Sequence, residues 1–289
     1  MDPTVEAVSK ITVPLLLERK LRGERITCLT AYDFPTGRLV DESGIDIVLV
    51  GDSLGTVVLG YDSTIPVTET DMRHHLRAVR RAVRRALLVV DLPYGTYQVN
   101  DENAVAAAIR FLKEGAEAVK IEGGKKRAGL VRRLVEAEIP VMGHIGLTPQ
   151  SFHVLGGHRV QGKTRESAAG IMEDAQAIED AGAFALVLEG IPRELAAMVT
   201  QRLRVPTIGI GAGPDCNGQV LVLHDLIGLG SQRQPKFVRP YANVSRVVRS
   251  ALEKYREDVC DGRYPADAES YHWPEDLREQ FASRSALKV

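Results

Sequence analysis

Four apolar runs in this chain each close on a carboxylate: Val48-Leu49-Val50-Gly51-Asp52, Leu88-Val89-Val90-Asp91, Val119-Lys120-Ile121-Glu122 and Leu186-Val187-Leu188-Glu189. Short, β-branched-rich runs read as strands buried on both faces of a parallel sheet. Acids at their ends gather on the rim where α/β folds bind ligands and do chemistry. The pattern predicts an enzyme that uses a hard metal ion and an acid–base carboxylate. Asp52, Asp91 and Glu122 are the candidate metal set, because oxygen donors suit Mg²⁺, which keeps positions for water and substrate. No His-x-x-x-His or cysteine cluster competes for zinc. The plainer alternative for any one of the three is an ion pair or a helix cap.

Lys120 is a cation inside an apolar run, and residues i and i+2 of a strand share a face. Lys120 and Glu122 therefore point the same way, either into a barrel or out toward its helices. A buried lysine needs a partner. That partner is a substrate carboxylate or enolate oxygen on one reading, and Glu122 or another rim acid on the other. Glu189 has no cation near it in sequence, and apolar surroundings raise a carboxylate's proton affinity, which suits a general base. Capping the helix that follows Pro192 is the alternative. His144, in Gly143-His144-Ile145-Gly146, falls at a strand end and is either a supporting site residue or a core histidine.

Two further features carry less. Gly209-Ile210-Gly211-Ala212-Gly213 resembles a phosphate-cradling turn, but its spacing is not a dinucleotide fingerprint and tight backbone packing explains it equally well. Arg77, Arg80, Arg81, Arg84 and Arg85 recur at helical spacing without interleaved aromatics, so they read as a solvated helix face. His74 and His75 on that helix diverge by about 100° and do not readily share a metal.

The elements that must position these residues show an internal echo. Gly44, Gly115 and Gly182 each end a helix two or three residues before a strand, where glycine tolerates the left-handed C′ conformation. Strands are expected near 26–32, 46–52, 87–92, 118–122, 140–146, 184–189, 206–211 and 219–223. Helices are expected near 35–43, 67–84, 100–114, 126–137, 164–181 and 192–203. Asn100 and Thr164 read as N-caps without full capping boxes, since Asn103 and Ser167 rather than glutamate follow. Pro192 suits the first helical position. Eight strands with mostly helical crossovers predict a (β/α)₈ barrel, with a doubly wound open sheet as the alternative. A single domain is expected: an extra helix within 1–24, the barrel over 25–230, and a C-terminal helical extension over 231–289 whose end from Tyr264 reads as loop.

With 289 residues, the chain is long enough to bury a sizeable core, and 44% hydrophobic and 26% charged residues are ordinary for a globular protein. A net charge of −1 steers it toward neither nucleic acid nor an anionic membrane. No apolar stretch approaches a membrane span. The first residues, Met1-Asp2-Pro3-Thr4-Val5-Glu6, lack the layout of a secretory signal. Cys28, Cys216 and Cys260 form no disulfide framework. These features fit a cytoplasmic protein.

In chain order, the blocks Thr30-Ala31-Tyr32-Asp33, Val50-Gly51-Asp52-Ser53-Leu54-Gly55, Asp91-Leu92-Pro93 and Val119-Lys120-Ile121-Glu122-Gly123-Gly124 are followed by Gly143-His144-Ile145-Gly146-Leu147-Thr148-Pro149-Gln150-Ser151, Val160-Gln161-Gly162 and the glycine turn at 209–213. Together they closely resemble the 3-methyl-2-oxobutanoate (ketopantoate) hydroxymethyltransferase family, over about residues 12–270. The Lys-Ile-Glu-Gly-Gly and His-Ile-Gly-Leu-Thr-Pro-Gln-Ser blocks are specific. The resemblance implies a (β/α)₈ barrel, Mg²⁺, a homodecamer, and hydroxymethyl transfer from 5,10-methylenetetrahydrofolate to 3-methyl-2-oxobutanoate in pantothenate synthesis. Carried over by position, Asp52, Asp91 and Glu122 are the metal set. Asp52, Ser53, Asp91 and Lys120 are the substrate contacts, and Glu189 is the proton acceptor of a Mg-stabilised enolate mechanism. Two departures stand out: Asn217-Gly218-Gln219 where Asp-Gly-Gln is expected, and a longer tail at Ala268-Glu269-Ser270-Tyr271-His272-Trp273. The alternative is a Mg-dependent α-keto-acid lyase or mutase of the phosphoenolpyruvate mutase and isocitrate lyase type, which needs no folate. No catalytic cysteine loop of that group is evident, and folate-dependent turnover separates the two.

Overall fold

Eight parallel strands close into a barrel in chain order: β1 (Ile26–Thr30), β2 (Ile47–Val50), β3 (Leu87–Asp91), β4 (Ala118–Glu122), β5 (Val141–Gly146), β6 (Ala185–Glu189), β7 (Thr207–Ile210) and β8 (Gly218–Leu221), with β8 returning to β1. This computed structural model describes residues 9–157, 159–230 and 235–285, with side chains as far as 281. The acidic first six residues lie outside them. Helices cross over between most consecutive strands, so the expected (β/α)₈ barrel is the observed one and the open sheet is not.

Strand periodicity sorts the core into two layers. Ile47, Leu49, Leu87, Val89, Ala118, Met142, Ala185, Val187 and Ile208 fill the barrel, together with Ile11 and Leu16 from the N-terminal segment. The alternate residues, among them Val48, Val50, Leu88, Val90, Val119, Ile121, Leu186 and Leu188, pack outward against the helices. The helix Val13–Arg22, capped by Thr12 and ended at Gly23, buries Leu16 completely against the inner layer. With the strand starts filled in this way, the space for a ligand lies at the carboxyl ends of the strands.

Gly44, Gly115 and Gly182 have φ of 79°, 100° and 100°, the left-handed conformation that the helix–glycine–strand echo requires. Several local expectations need correction. Thr164 does have a capping box, because the Ser167 hydroxyl accepts from the Thr164 amide (3.0 Å) as a glutamate would. Pro192 is the cap rather than the first helical residue, since its ψ of 140° is extended and the helix Arg193–Arg202 begins after it. Strand β2 stops at Val50, short of Asp52, because the Asp52 amide turns aside to donate to Asp91 Oδ2 (3.0 Å). Short helices at Leu54–Val57, Phe152–Leu155 and Leu223–Leu226 have too few residues to show a period.

The chain divides into two compact units, the second beginning at Ala242. That break falls inside the segment read as an extension. The second unit contains the helix Val244–Cys260, capped by Asn243. The tail expected as loop from Tyr264 includes a helix at Glu275–Ser285, whose first-turn Glu275 and Asp276 suit the positive end of the helix dipole.

Candidate active site

The open question about Lys120 and Glu122 is settled by parity. Both share a face with Ala118, which lies in the inner layer, so both point into the barrel. Asp91, His144 and Glu189 have the same parity on β3, β5 and β6. With Asp52 and Ser53 from the loop after β2, they line one cavity of about 1150 Å³, floored by Leu49, Val187 and Val220. Every residue given a metal, substrate or acid–base role from the sequence therefore lines a single cavity.

Register decides who meets whom. Lys120 is the β3–β4 partner of Asp91, and its ammonium lies 2.9 Å from Asp91 Oδ1. Glu122 is the β4–β5 partner of His144, whose Nδ1 stands 3.4 Å from Glu122 Oε1 and 3.3 Å from Lys120 Nζ. His144 Nε2 approaches Glu189 Oε2 at 3.2 Å, off the axis of a good hydrogen bond. Such contacts are often loose before substrate binds. This corrects the apolar surroundings expected for Glu189: an imidazole from the neighbouring strand flanks it, and its side chain keeps 16% exposure toward the cavity. Ser53 Oγ shares a 2.8 Å hydrogen bond with Tyr32 Oη.

The electrostatics are lopsided. Asp52, Asp91 and Glu122 are 3–4% exposed, and among the described residues the Lys120 ammonium, 5% exposed, and the His144 imidazole, 2% exposed, are the basic groups beside them. Burial, then the charges of Asp91 and Glu122, push the Asp52 carboxyl well above the usual range. Burial pushes Glu122 up as well, but the His144 hydrogen bond and the His144 and Lys120 charges outweigh it and hold Glu122 low. Burial works against the Lys120 ammonium, yet Asp91, Glu122 and Asp52 keep it above the ordinary lysine range.

An excess of buried oxygen charge of this kind fits a hard cation. Asp91 Oδ1 has no well-aligned hydrogen-bond donor, only the ammonium beside it. Among the described residues, no three His, Cys, Asp or Glu side chains are arranged to enclose a metal. Mg²⁺ asks for less than that: one or two carboxylates, with water and substrate oxygens completing its shell. The donor set is compatible with such a site and not with a structural zinc cage.

Two buried residues to which sequence reasoning gave no role hold the acids in place. Gln150, in the turn after β5, donates through Nε2 to Asp52 Oδ2 (2.8 Å) and Leu92 O (2.9 Å). Tyr97 Oη donates to Gln150 Oε1 (2.5 Å) and accepts from the Glu122 amide (3.2 Å). Both are neutral, Gln150 in a single 3₁₀ turn (Pro149–Ser151) and Tyr97 in a loop, so neither periodicity nor charge marks them.

The glycine turn and Asn217 resolve as structure. A Cβ at Gly213 would stand 2.4 Å from Arg193 Cβ, and one at Gly211 would stand 2.7 Å from the Phe237 ring, so close packing accounts for both glycines. Asn217 Oδ1 accepts from the Thr207 amide (3.0 Å) at the start of β7, away from the carboxyl mouth. A neutral amide oxygen suffices for that contact.

The family profile described as ketopantoate hydroxymethyltransferase matches residues 10–267. A 3-methyl-2-oxobutanoate hydroxymethyltransferase of Koribacter versatilis (strain Ellin345) is 57% identical over 271 residues, covering 93% of this chain and 92% of the relative. One of the same name from Moorella thermoacetica is 55% identical, covering 91% of this chain and 98% of that protein. Among solved structures, phosphonopyruvate hydrolase in complex with oxalate and Mg²⁺ is similar at TM-score 0.58 and 16% identity, over 95% of this chain and 97% of that one. A 2,3-dimethylmalate lyase is similar at TM-score 0.56 and 17% identity, over 94% and 98%. At such identities the two structures speak to the fold alone.

Proposed function

The chain belongs to the ketopantoate hydroxymethyltransferase family, and we propose that it transfers a hydroxymethyl group to 3-methyl-2-oxobutanoate in the cavity at the carboxyl mouth of its barrel. The observation that carries this reading is the convergence of Asp52, Asp91, Lys120, Glu122 and Glu189 on that one cavity. Asp52 and Asp91, with Glu122 beside them, would hold Mg²⁺, which when bound supplies a Lewis acid for the keto and carboxylate oxygens of the substrate. Lys120 offsets the negative charge of the keto acid. The Ser53 hydroxyl, itself fixed by Tyr32, orients the substrate carboxylate. Glu189 accepts the proton leaving C3, and His144 at 3.2 Å keeps its carboxylate aimed into the cavity.

The one-carbon donor in this proposal is 5,10-methylenetetrahydrofolate, and a cavity of about 1150 Å³ is far larger than a small keto acid fills. A homodecamer in the cytoplasm completes the proposal, with light scattering as its direct check. Among the described residues no helix is long and apolar enough to cross a membrane. The deciding assay incubates the purified protein with 3-methyl-2-oxobutanoate and Mg²⁺, with and without 5,10-methylenetetrahydrofolate. Ketopantoate formed only with the folate is expected. Loss of an α-keto acid without folate would favour the lyase or mutase chemistry instead.

A further inference from the structure

We propose that Gln150 is a positioning residue that ties Asp52 to Glu122 and presents the two carboxylates to a cation without neutralising either. The residue is 6% exposed, and both polar groups of its side chain are hydrogen-bonded. Nε2 donates to Asp52 Oδ2 (2.8 Å) and to Leu92 O (2.9 Å). Oε1 accepts from Tyr97 Oη (2.5 Å) and Gln98 Nε2 (3.2 Å), and the Gln150 amide donates to Glu122 Oε2 (3.0 Å). One residue in the turn after β5 thus holds carboxylates that come from the loop after β2 and the end of β4. Tyr97 closes the loop, because its hydroxyl also accepts from the Glu122 amide (3.2 Å) while Arg127 lies over its ring (5.0 Å).

The choice of an amide is physical. An arginine or lysine in this place would orient the same oxygens but cancel the charge that attracts a divalent ion. A neutral donor fixes direction and leaves the charge in place. It occupies Asp52 Oδ2 and Glu122 Oε2, so the remaining oxygen of each carboxylate is the one left to face other partners.

The inference rests on the proposed metal reading, and the test separates the two. Mn²⁺ binding is titrated by electron paramagnetic resonance for the full-length parent and for Gln150→Met, Tyr97→Phe and Asp52→Asn. Methionine keeps the bulk of Gln150 and deletes its side-chain hydrogen bonds. Gln150→Met is expected to weaken Mn²⁺ binding about 10–100-fold. It should raise the Mg²⁺ concentration needed for half-maximal activity by the same factor, with much of kcat recovered at saturating Mg²⁺. Tyr97→Phe should shift both in the same direction by less, and it serves if Gln150→Met does not fold. If Asp52→Asn loses Mn²⁺ while Gln150→Met, or Tyr97→Phe in its place, binds as the parent does, the positioning role is wrong and the metal reading stands. If the parent binds no Mn²⁺, both fall.

Discussion

Lys120 Nζ lies 2.9 Å from Asp91 Oδ1, and the two residues are register partners on β3 and β4. The pair is a consequence of strand alignment: the last residue of one strand sits beside the third residue of the next. Its ammonium also serves Asp52 and Glu122, and shares a site of three buried acids with the His144 imidazole.

Replacing Lys120 by Met therefore leaves Asp91 buried without its counter-ion. Breaking a buried pair from one side costs about 3–5 kcal/mol. Urea unfolding of Lys120→Met without Mg²⁺ should show that loss, and saturating Mg²⁺ should recover part of it by binding the folded state. A loss below about 1 kcal/mol would mean that the pair contributes no more than an exposed one.

Asp52 gives the opposite sign. Its carboxyl is raised in the folded chain, by burial first and then by Asp91 and Glu122. A raised carboxyl contributes stability that is fully present below its unfolded value and is lost as pH climbs through the folded one. Near neutral pH, where the unfolded carboxyl is ionised, burying this group works against folding. Asp52→Asn should melt about 2–4 °C higher than the parent without metal, for roughly 1 kcal/mol relieved. The same variant should lose activity and the stabilisation that Mg²⁺ gives the parent. A variant melting below the parent would contradict the assigned balance.

Glu189→Gln removes the proton acceptor while keeping shape and the approach of His144. Deuterium exchange at C3 of 3-methyl-2-oxobutanoate should slow by about 10²–10⁴-fold, the usual worth of a positioned base. Metal binding should hardly change, because Glu189 stands across His144 from the other acids. Proton NMR of the keto acid in D₂O reads the exchange directly, and an unchanged rate would remove Glu189 from the chemistry.

The barrel was legible because buried parallel strands write themselves as short apolar runs and because three glycines mark the turns between helix and strand. The acids at the run ends were legible for a related reason: a charge in such a run is costly unless it has work or a partner. What could not be read was partnership. Glu189 meets His144 only because the β5–β6 register sets Gly146 opposite Glu189, and register is a property of the closed sheet rather than of either strand. Gln150 and Tyr97 escaped for want of charge or period. Asn217 could be read as a departure from a motif, but its bond to the Thr207 amide depends on β7 and β8 lying together.

His144 supplies a pH signature. Burial and Lys120 both push its imidazole down, but Glu122 and Glu189 push harder, and the result is about 9 against an ordinary 6.5. A group raised on folding contributes stability that is fully present below its unfolded value and fades as pH rises through the folded one. The metal-free parent should therefore lose stability between pH 6.5 and 9, by on the order of 3 kcal/mol at most. In His144→Asn that part of the slope should vanish, since asparagine has no proton to lose. Saturating Mg²⁺ should move the parent's step to lower pH, because a cation beside Glu122 competes with the imidazolium for the same carboxylate. Guanidinium unfolding of both proteins across this range, with and without Mg²⁺, checks the sign and the source together. A His144→Asn protein with an undiminished slope would place the titrating proton on some other group.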